Sequence, residues 1–387
     1  MPIRLFGKSA QPVYPAERPA HTVKADEKVF VASQWQLMWW KFRRHQLAII
    51  SGVLVILLYL VALFAEPVAA YDPESQDIRY SYIPPSAIHF VDEQGTFHLI
   101  PFVYGISQKR DPETLALVYA EDKSTSYPLR FFVNGDPYKL WGLIPSTFHL
   151  FGAQGEGRIH LFGGDAQGRD LFSRVVYGTR ISMSVGLIGV LLSFIFGVMI
   201  GGISGYYGGA IDTFIQRVIE FLRSMPTIPL WMTLSAALPP YWPPLQVYFA
   251  ITIILSLIGW TGLARVVRGR FLALREEDFV MAAKISGSSE TRIIFRHMVP
   301  SFLSHIIAAL TLAVPDMILS ETALSFLGLG LRYPAISWGV LLQDSQNIRA
   351  VATAPWLLIP GLAVVLAVLS LNFLGDGLRD AADPYGK

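Results

Sequence analysis

Residues Ile181–Tyr206 read ISMSVGLIGVLLSFIFGVMIGGISGY, twenty-six residues without a charged side chain. An α-helix rises about 1.5 Å per residue and the hydrocarbon core of a bilayer is about 30 Å thick, so this run is long enough to cross a membrane. The composition agrees: 52% of the 387 residues are apolar and 16% are charged, where an average globular protein carries about 25% charge. Mean hydropathy is +0.43. The chain is read as a membrane protein. Within the run, Gly197, Gly201 and Gly205 recur every four residues on one helix face. That spacing permits close helix packing, either inside the subunit or across a dimer face.

Five more spans are read outward from this one. Leu47–Ala65, Gln246–Ala264 and Pro355–Gly375 carry no charge, and Phe302–Leu327 is apolar apart from His305, Asp316 and Glu321. Ala210–Leu238 is the weakest, with Asp212, Arg217, Glu220 and Arg223 in its first half. The first span follows 46 residues and is too long for a signal-peptide core, so it is read as uncleaved. The expected fold is an all-α membrane protein of six transmembrane helices, with a transmembrane core over 181–375. Asp316 and Glu321 follow Pro315 on the fifth span. Because an ionisable group facing lipid is costly, Glu321 is predicted to face a subunit interface near the outer surface.

Orientation follows from the cations. Lys41, Arg43 and Arg44 precede the first span and seven basic residues lie in 265–300, whereas 236–246 holds none and 330–354 holds two. Both termini and the 265–300 loop are therefore expected on the cytoplasmic side. Residues 1–32, with four prolines and no apolar period, are expected to be a disordered cytoplasmic tail, and 376–387 a second tail. In 33–46 the residues Trp35, Met38, Trp39 and Phe42 fall at helical spacing with cations between them. This is either an interfacial amphipathic helix or the aromatic belt of the first span.

The segment 66–180 is too long for a connection and is expected to fold outside the membrane as a β-rich insertion. Three hairpins are read: strands around Asp92-Glu-Gln-Gly, strands around Asn134-Gly-Asp, and His149-Leu-Phe with Arg158-Ile-His-Leu-Phe around a Gly-rich turn. His89, His98, His149 and His160 show no metal-ligand spacing with a carboxylate, so no metal site is expected. With no cysteine, disulfides and thiolate sites are excluded. A net charge of +2 and no basic run give no nucleic-acid surface. No phosphate-binding Gly-rich motif occurs, so this chain is not expected to bind ATP.

Asp278–Pro300 reads DFVMAAKISGSSETRIIFRHMVP: a short helix, a glycine turn, a serine cap and a second helix ending at a proline. Small Ala282 and Ala283 admit a close partner, and Gly287 permits the positive φ that reverses the chain.

At these residues the sequence resembles the permease subunits of ATP-binding-cassette importers, whose loop has the pattern E-A-A, three residues, G, nine residues, I-x-L-P. Ala282, Ala283, Gly287 and Pro300 match in place, while Met281, His297 and Val299 depart from it. From Gly163 to Tyr385 the chain is similar to the oligopeptide, dipeptide and nickel permease group, through Gly163-Gly-Asp-Ala-Gln-Gly-Arg-Asp170, Tyr206-Tyr-Gly-Gly209, Phe295–Pro300, Glu321–Gly330 and Asp380–Pro384. It is most similar to the second permease of the pair.

The resemblance implies a type I importer fold in a bacterial inner membrane. It implies a second, different permease, two ATPase subunits that bind ATP and Mg, and an extracytoplasmic binding protein. This chain would supply no catalytic residue. Glu277, Asp278, Ala282, Ala283, Gly287 and Arg292 would couple to the ATPases, and Asp165, Arg169 and Asp170 would lie on the binding-protein side. Peptide is the expected cargo, with nickel, opines or oligosaccharides as alternatives. A secondary transporter, with Asp316 as its ion-coupling carboxylate, or an anchored outer-face receptor or enzyme would be the other classes.

The cysteine-free chain allows a direct topology test. Ser126→Cys should react with an impermeant maleimide in intact cells, and Ser289→Cys only after the inner membrane is opened; the reverse pattern would invert the orientation.

Overall fold

A computed structural model describes residues 34–110, 112, 117–154 and 157–382. The tail 1–32 and the last residues of the carboxyl tail lie outside these. The helices are α1 (Gln34–Phe42), α2 (Gln46–Leu63), α3 (Ala65–Val68), α4 (Leu171–Tyr207), α5 (Gly209–Ser224), α6 (Thr227–Ala236) and α7 (Pro244–Leu274). They continue with α8 (Asp278–Ile285), α9 (Glu290–Arg292), α10 (Val299–Ser301), α11 (Leu303–Phe326), α12 (Trp338–Leu341), α13 (Ile348–Thr353) and α14 (Ile359–Ala382). Between α3 and α4 lie β1 (His89–Val91), β2 (Phe97–Arg110), β3 (Leu117–Leu140) and β4 (Ile144–Ala153).

Among the described residues, five helical segments are long and apolar enough to cross a membrane: Gln46–Leu63, Leu171–Tyr207, Pro244–Leu274, Ile306–Phe326 and Pro355–Ala382. The expected single helix over 210–238 is instead broken at Met225-Pro226 into α5 and α6. Proline cannot donate to the preceding turn and disfavours helix in the residue before it. At ten residues α6 is about 15 Å long, half of a bilayer core. The second span also starts earlier than its uncharged run. Asp170 accepts from Ser173 N at 2.7 Å and caps α4 ten residues ahead of Ile181. Arg174 and Arg180 are accommodated because each meets a carboxylate, Asp165 and Glu66 respectively.

The bundle is set by α4 against α7. A Cβ on Gly197 would stand 2.9 Å from Leu263 Cβ, on Gly201 2.8 Å from Ala264 Cα, and on Gly205 2.6 Å from Phe271 Cβ. The glycine face thus packs inside the chain, letting the two backbones approach where a side chain would hold them apart. Around this contact Met183, Val185, Leu255, Ile318, Trp338 and Leu371 form the main core. At one end α2 and α14 run antiparallel, and Gly377 lies directly on Ala48. Helix α1 also packs on α14, with Phe42 beside Gly377.

The strands form one antiparallel sheet in the order β1-β2-β3-β4. The first hairpin turns at Asp92–Gly95, whose Asp92 Oδ1 accepts from Gln94 N and Thr96 N. The other two hairpins are not formed as read. Arg130–Val133 and Tyr138–Leu140 belong to the same strand β3, and Asn134-Gly-Asp is an irregularity opposite β4. The chain reverses instead at Trp141–Leu143. Arg158–Phe162 is not a strand. An extra residue pair in one strand and a two-residue turn share the same Asn/Gly/Asp chemistry, so composition alone does not separate them.

Overpacking a close backbone contact costs about 1–3 kcal/mol. Gly201→Val should therefore lower the thermal unfolding temperature of the purified protein. Gly269→Ala, on the exposed side of α7 with nothing near its added methyl, should leave it unchanged or raise it.

Candidate functional site

The loop between α7 and α11 carries the predicted coupling residues. Helix α8 closes in a two-bond glycine cap: Gly287 N donates to Lys284 O at 3.0 Å and Ser288 N to Ala283 O at 3.1 Å. Gly287 has φ +73°. The left-handed residue this cap requires is the reason for glycine there. Ser289 stands at the N-cap of α9 without a side-chain hydrogen bond. The chain then runs through a π-helical stretch, Ile293–Met298, into α10 and α11.

One face of this hairpin is buried. Val280, Ile293 and Met298 pack with Val198, Val267 and Phe271 from the adjacent ends of α4 and α7. Two polar contacts reinforce it. Tyr207 Oη donates to Glu290 Oε2 at 2.6 Å, and Lys284 Nζ lies 5.3 Å from the centre of the Tyr206 ring. The tyrosine pair thus holds both short helices, one residue each. Nearby, Arg268 pairs with Asp212 through two bonds of 2.5 and 2.6 Å, tying α5 to α7, and Ser204 donates to the same carboxylate.

The opposite face is bare. Glu277, Asp278, Ala282, Gly287 and Arg292 are exposed, and Ala283 is half-buried against the loop's core. Beside them Phe279, Met281, Ile285 and Phe295 are exposed, Ile285 at 85%. An apolar strip edged by Glu276, Glu277 and Asp278 at one end and Arg292 at the other is a surface shaped for a protein partner. The tyrosine clamp with Lys284 and Glu290 was not legible as a site. The tyrosines and their partners are some eighty residues apart, and only the folded α4–α7 contact joins them.

At the other end of the bundle Asp165, Arg169 and Asp170, the residues expected on the binding-protein side, are buried. Arg169 Nε donates to Asp165 Oδ2 at 2.7 Å, and Arg174 donates to the same oxygen. Gly168 has φ +72° and sits against the backbone of Asp77. The Arg169 guanidinium lies 5.5 Å from the Tyr333 ring centre, and Trp356 Nε1 donates to Gly164 O at 2.9 Å. The carboxyl of neighbouring Asp344 is pushed up from its ordinary range by burial, and further by Asp165. The two guanidinia are held inward by their shared pairing with Asp165. Their role is to fix the start of α4 against the loops around 77–83 and 333–356.

Glu321 is also displaced from expectation. It is fully buried inside this chain, where Ser325 Oγ and Ser337 Oγ each donate to Oε1 at 2.7 Å and Ser182 approaches Oε2 at 3.5 Å. It joins α11, α4 and the loop before α12 rather than a second subunit. Ser325 Oγ accepts in turn from Leu331 N, and Ser182 Oγ from Trp338 N. Asp316, on the same helix, remains exposed.

A multi-pass membrane protein with a partner-shaped loop at one end of its bundle is the class this geometry defines. Residues 197–385 match the family of binding-protein-dependent transport system inner membrane components. Residues 33–85 match the N-terminal transmembrane domain of oligopeptide transport permease C. The chain is 43% identical to the dipeptide transport system permease protein DppC of Alkalihalophilus pseudofirmus, over 60% of this chain and 75% of that protein. It is 43% identical to the oligopeptide transport system permease protein OppC of Haemophilus influenzae, over 58% of this chain and 70% of that protein. A chain of the inward-facing MetNI methionine ABC transporter aligns at 18% identity with TM-score 0.43, covering 55% of this chain and 98% of that one. The chain belongs to the family of binding-protein-dependent transport system inner membrane components. It is the permease component of an ATP-binding-cassette importer, and ATP hydrolysis lies in separate subunits.

Leaving a buried hydroxyl unpaired costs on the order of 1–3 kcal/mol. Glu321→Ala strands Ser325 and Ser337 together and should lower the thermal stability of the detergent-solubilised protein markedly. Glu321→Gln keeps an acceptor oxygen and should lose less.

Proposed function

We propose that this permease imports peptides delivered by an extracytoplasmic binding protein, paired with a second, different permease and driven by two ATPase subunits. The names of its relatives support peptide as the cargo. The observation that carries the coupling reading is the loop itself: apolar and bare on one face, and clamped on the other to the ends of α4 and α7. Glu277, Asp278, Ala282, Ala283, Gly287 and Arg292 are the proposed ATPase-docking residues. Closure of the ATPases would move this loop and reorient the helices around the path.

Six crossings fit the contacts better than five. Ala48 near the start of α2 and Gly377 near the end of α14 touch, so the chain enters and leaves the bundle on one side. Five crossings would put those ends on opposite sides. The pair α5–α6 supplies the sixth: Asp212 is tied to Arg268 beside the coupling loop, while Ser235 and Leu238 share a hollow with Val247 and Leu331 at the far end. The cationic 265–300 segment supports a cytoplasmic coupling end, on the side where α2 begins and α14 ends. The sheet then lies outside, near the binding protein. Asp316 faces the second permease or the aqueous path, since facing lipid would cost about 2.5–3.5 kcal/mol.

A side chain with a Cβ forced into the left-handed region costs about 1–3 kcal/mol, most when β-branched. Gly287→Val should therefore reduce uptake and abolish the stimulation of ATP hydrolysis by loaded binding protein in the reconstituted importer. Gly287→Asn, which tolerates that region, should retain most of both. Normal uptake and stimulation in the Val variant would remove the coupling assignment. Capture of the cognate binding protein and mass spectrometry of its ligand tests the cargo.

A further inference from the structure

The reversal between β3 and β4 is built against expectation. Leu143 N donates to Leu140 O at 3.0 Å, closing a tight turn whose central residues Trp141 and Gly142 have φ +52° and +73°. Such a turn favours Asn or Gly at its first central position. A tryptophan there is an outlier that the surroundings must hold in place. They do so from the end of the first span. Trp141 Nε1 donates to Leu63 O at 2.7 Å, Trp141 N donates to Glu66 Oε1 at 3.2 Å, and the indole packs 5.9 Å from the Phe64 ring. Arg180 in turn holds Glu66 at 2.6 Å. The turn is therefore fixed at the level where α2 leaves the hydrocarbon.

What the turn presents at that level is apolar. Leu143 is 78% exposed and Ile144 54%, with Trp141 itself about half exposed. This surface continues into the bare side of α2, where Ile56, Leu57, Leu60 and Leu63 are exposed along the span. A water-facing turn has no reason to carry Leu-Trp-Gly-Leu-Ile, while an indole with its N–H satisfied and its ring beside aliphatic side chains suits the interface of a bilayer.

We propose that the β3–β4 tip, residues 140–144, seats in the outer leaflet beside α2, with membrane lipid as its partner. Lys139, exposed next to the tip, would then lie at the depth of the lipid phosphates. The anchor fixes the height of the sheet above the membrane, independently of which cargo the importer carries.

The test uses the assembled importer in nanodiscs, with Leu143→Cys carrying an environment-sensitive fluorophore on this cysteine-free chain and an unsubstituted importer labelled in parallel as blank. Phosphatidylcholine brominated high on its acyl chains should quench the label about twofold or more, and more than lipid brominated near the chain ends, as for a group in the interface. Aqueous iodide should quench little, and adding loaded binding protein should change neither. The same label on Ser126→Cys, in the β2–β3 part of the sheet, should ignore the brominated lipid. Iodide quenching without lipid quenching would overturn the proposal in favour of a water-facing turn. Quenching by neither would point to the second permease, and lipid quenching lost on adding binding protein would make that protein the partner. Equal lipid quenching at 126 would assign the signal to the dye, and the proposal would fail.

Discussion

The close approach of α4 to α7 through Gly197, Gly201 and Gly205 is the constraint on which the rest depends. Thirty-seven residues make α4 about 55 Å long, well beyond the bilayer core. With its backbone seated on α7, it is a rod braced along much of its length. At one end Asp170 caps it, beside the Asp165–Arg169–Arg174 cluster. Its other end is Tyr206 and Tyr207, which hold the hairpin of α8 and α9. The helix that holds the hairpin is therefore the same one whose far end packs with the loops around 77–83 and 333–356.

The buried polar groups follow one rule at both ends. In a low-dielectric interior an unpaired charge is far costlier than an unpaired amide, so each is surrounded by donors or by an opposite charge. Asp165 takes two guanidinia, Glu66 takes Arg180, Asp212 takes Arg268, and Glu321 takes serine hydroxyls. The Asp165 cluster is local, whereas Glu66–Arg180, Asp212–Arg268 and the Glu321 site cross between elements distant in sequence. These contacts add directional order to a bundle whose helices share one apolar surface chemistry. Without them, sliding of one helix on another would change little buried area.

What could be read from the sequence was what local chemistry decides. The uncharged runs located the long helices, the glycine spacing marked a close-packed face, and Gly287 with its flanking serines marked the loop's reversal. Charge counting, however, stopped the second span at Arg180, because nothing local says that Arg174 and Arg180 will find carboxylates. The same blindness put Glu321 at a subunit interface: its partner Ser182 is 139 residues away. For Asp165, Arg169 and Asp170 the motif marked the residues but not their burial, which depends on pairing within the folded segment. In the sheet, Asn134-Gly-Asp has the composition of a turn and lies within a strand, while the true turn is Trp141-Gly142, whose support comes from the end of α2.

The distribution of stiffness along the chain gives the loop its mechanical sense. The rod α4 ends at Gly208 and Gly209, both at positive φ, and α5 breaks again at Pro226. The hairpin pivots at Gly287 and leaves through the π-helical stretch Ile293–Met298, whose wider turn replaces the usual ladder of bonds just before α11. Ile293 and Met298 of this stretch are nonetheless buried against Val198, Val267 and Phe271, so the irregular backbone is itself seated on α4 and α7. The helix reached through the π stretch carries Asp316 on its exposed face and Glu321 in its buried one. The hairpin is thus bound on one side to the braced rod α4 and on the other runs into α11 through irregular backbone.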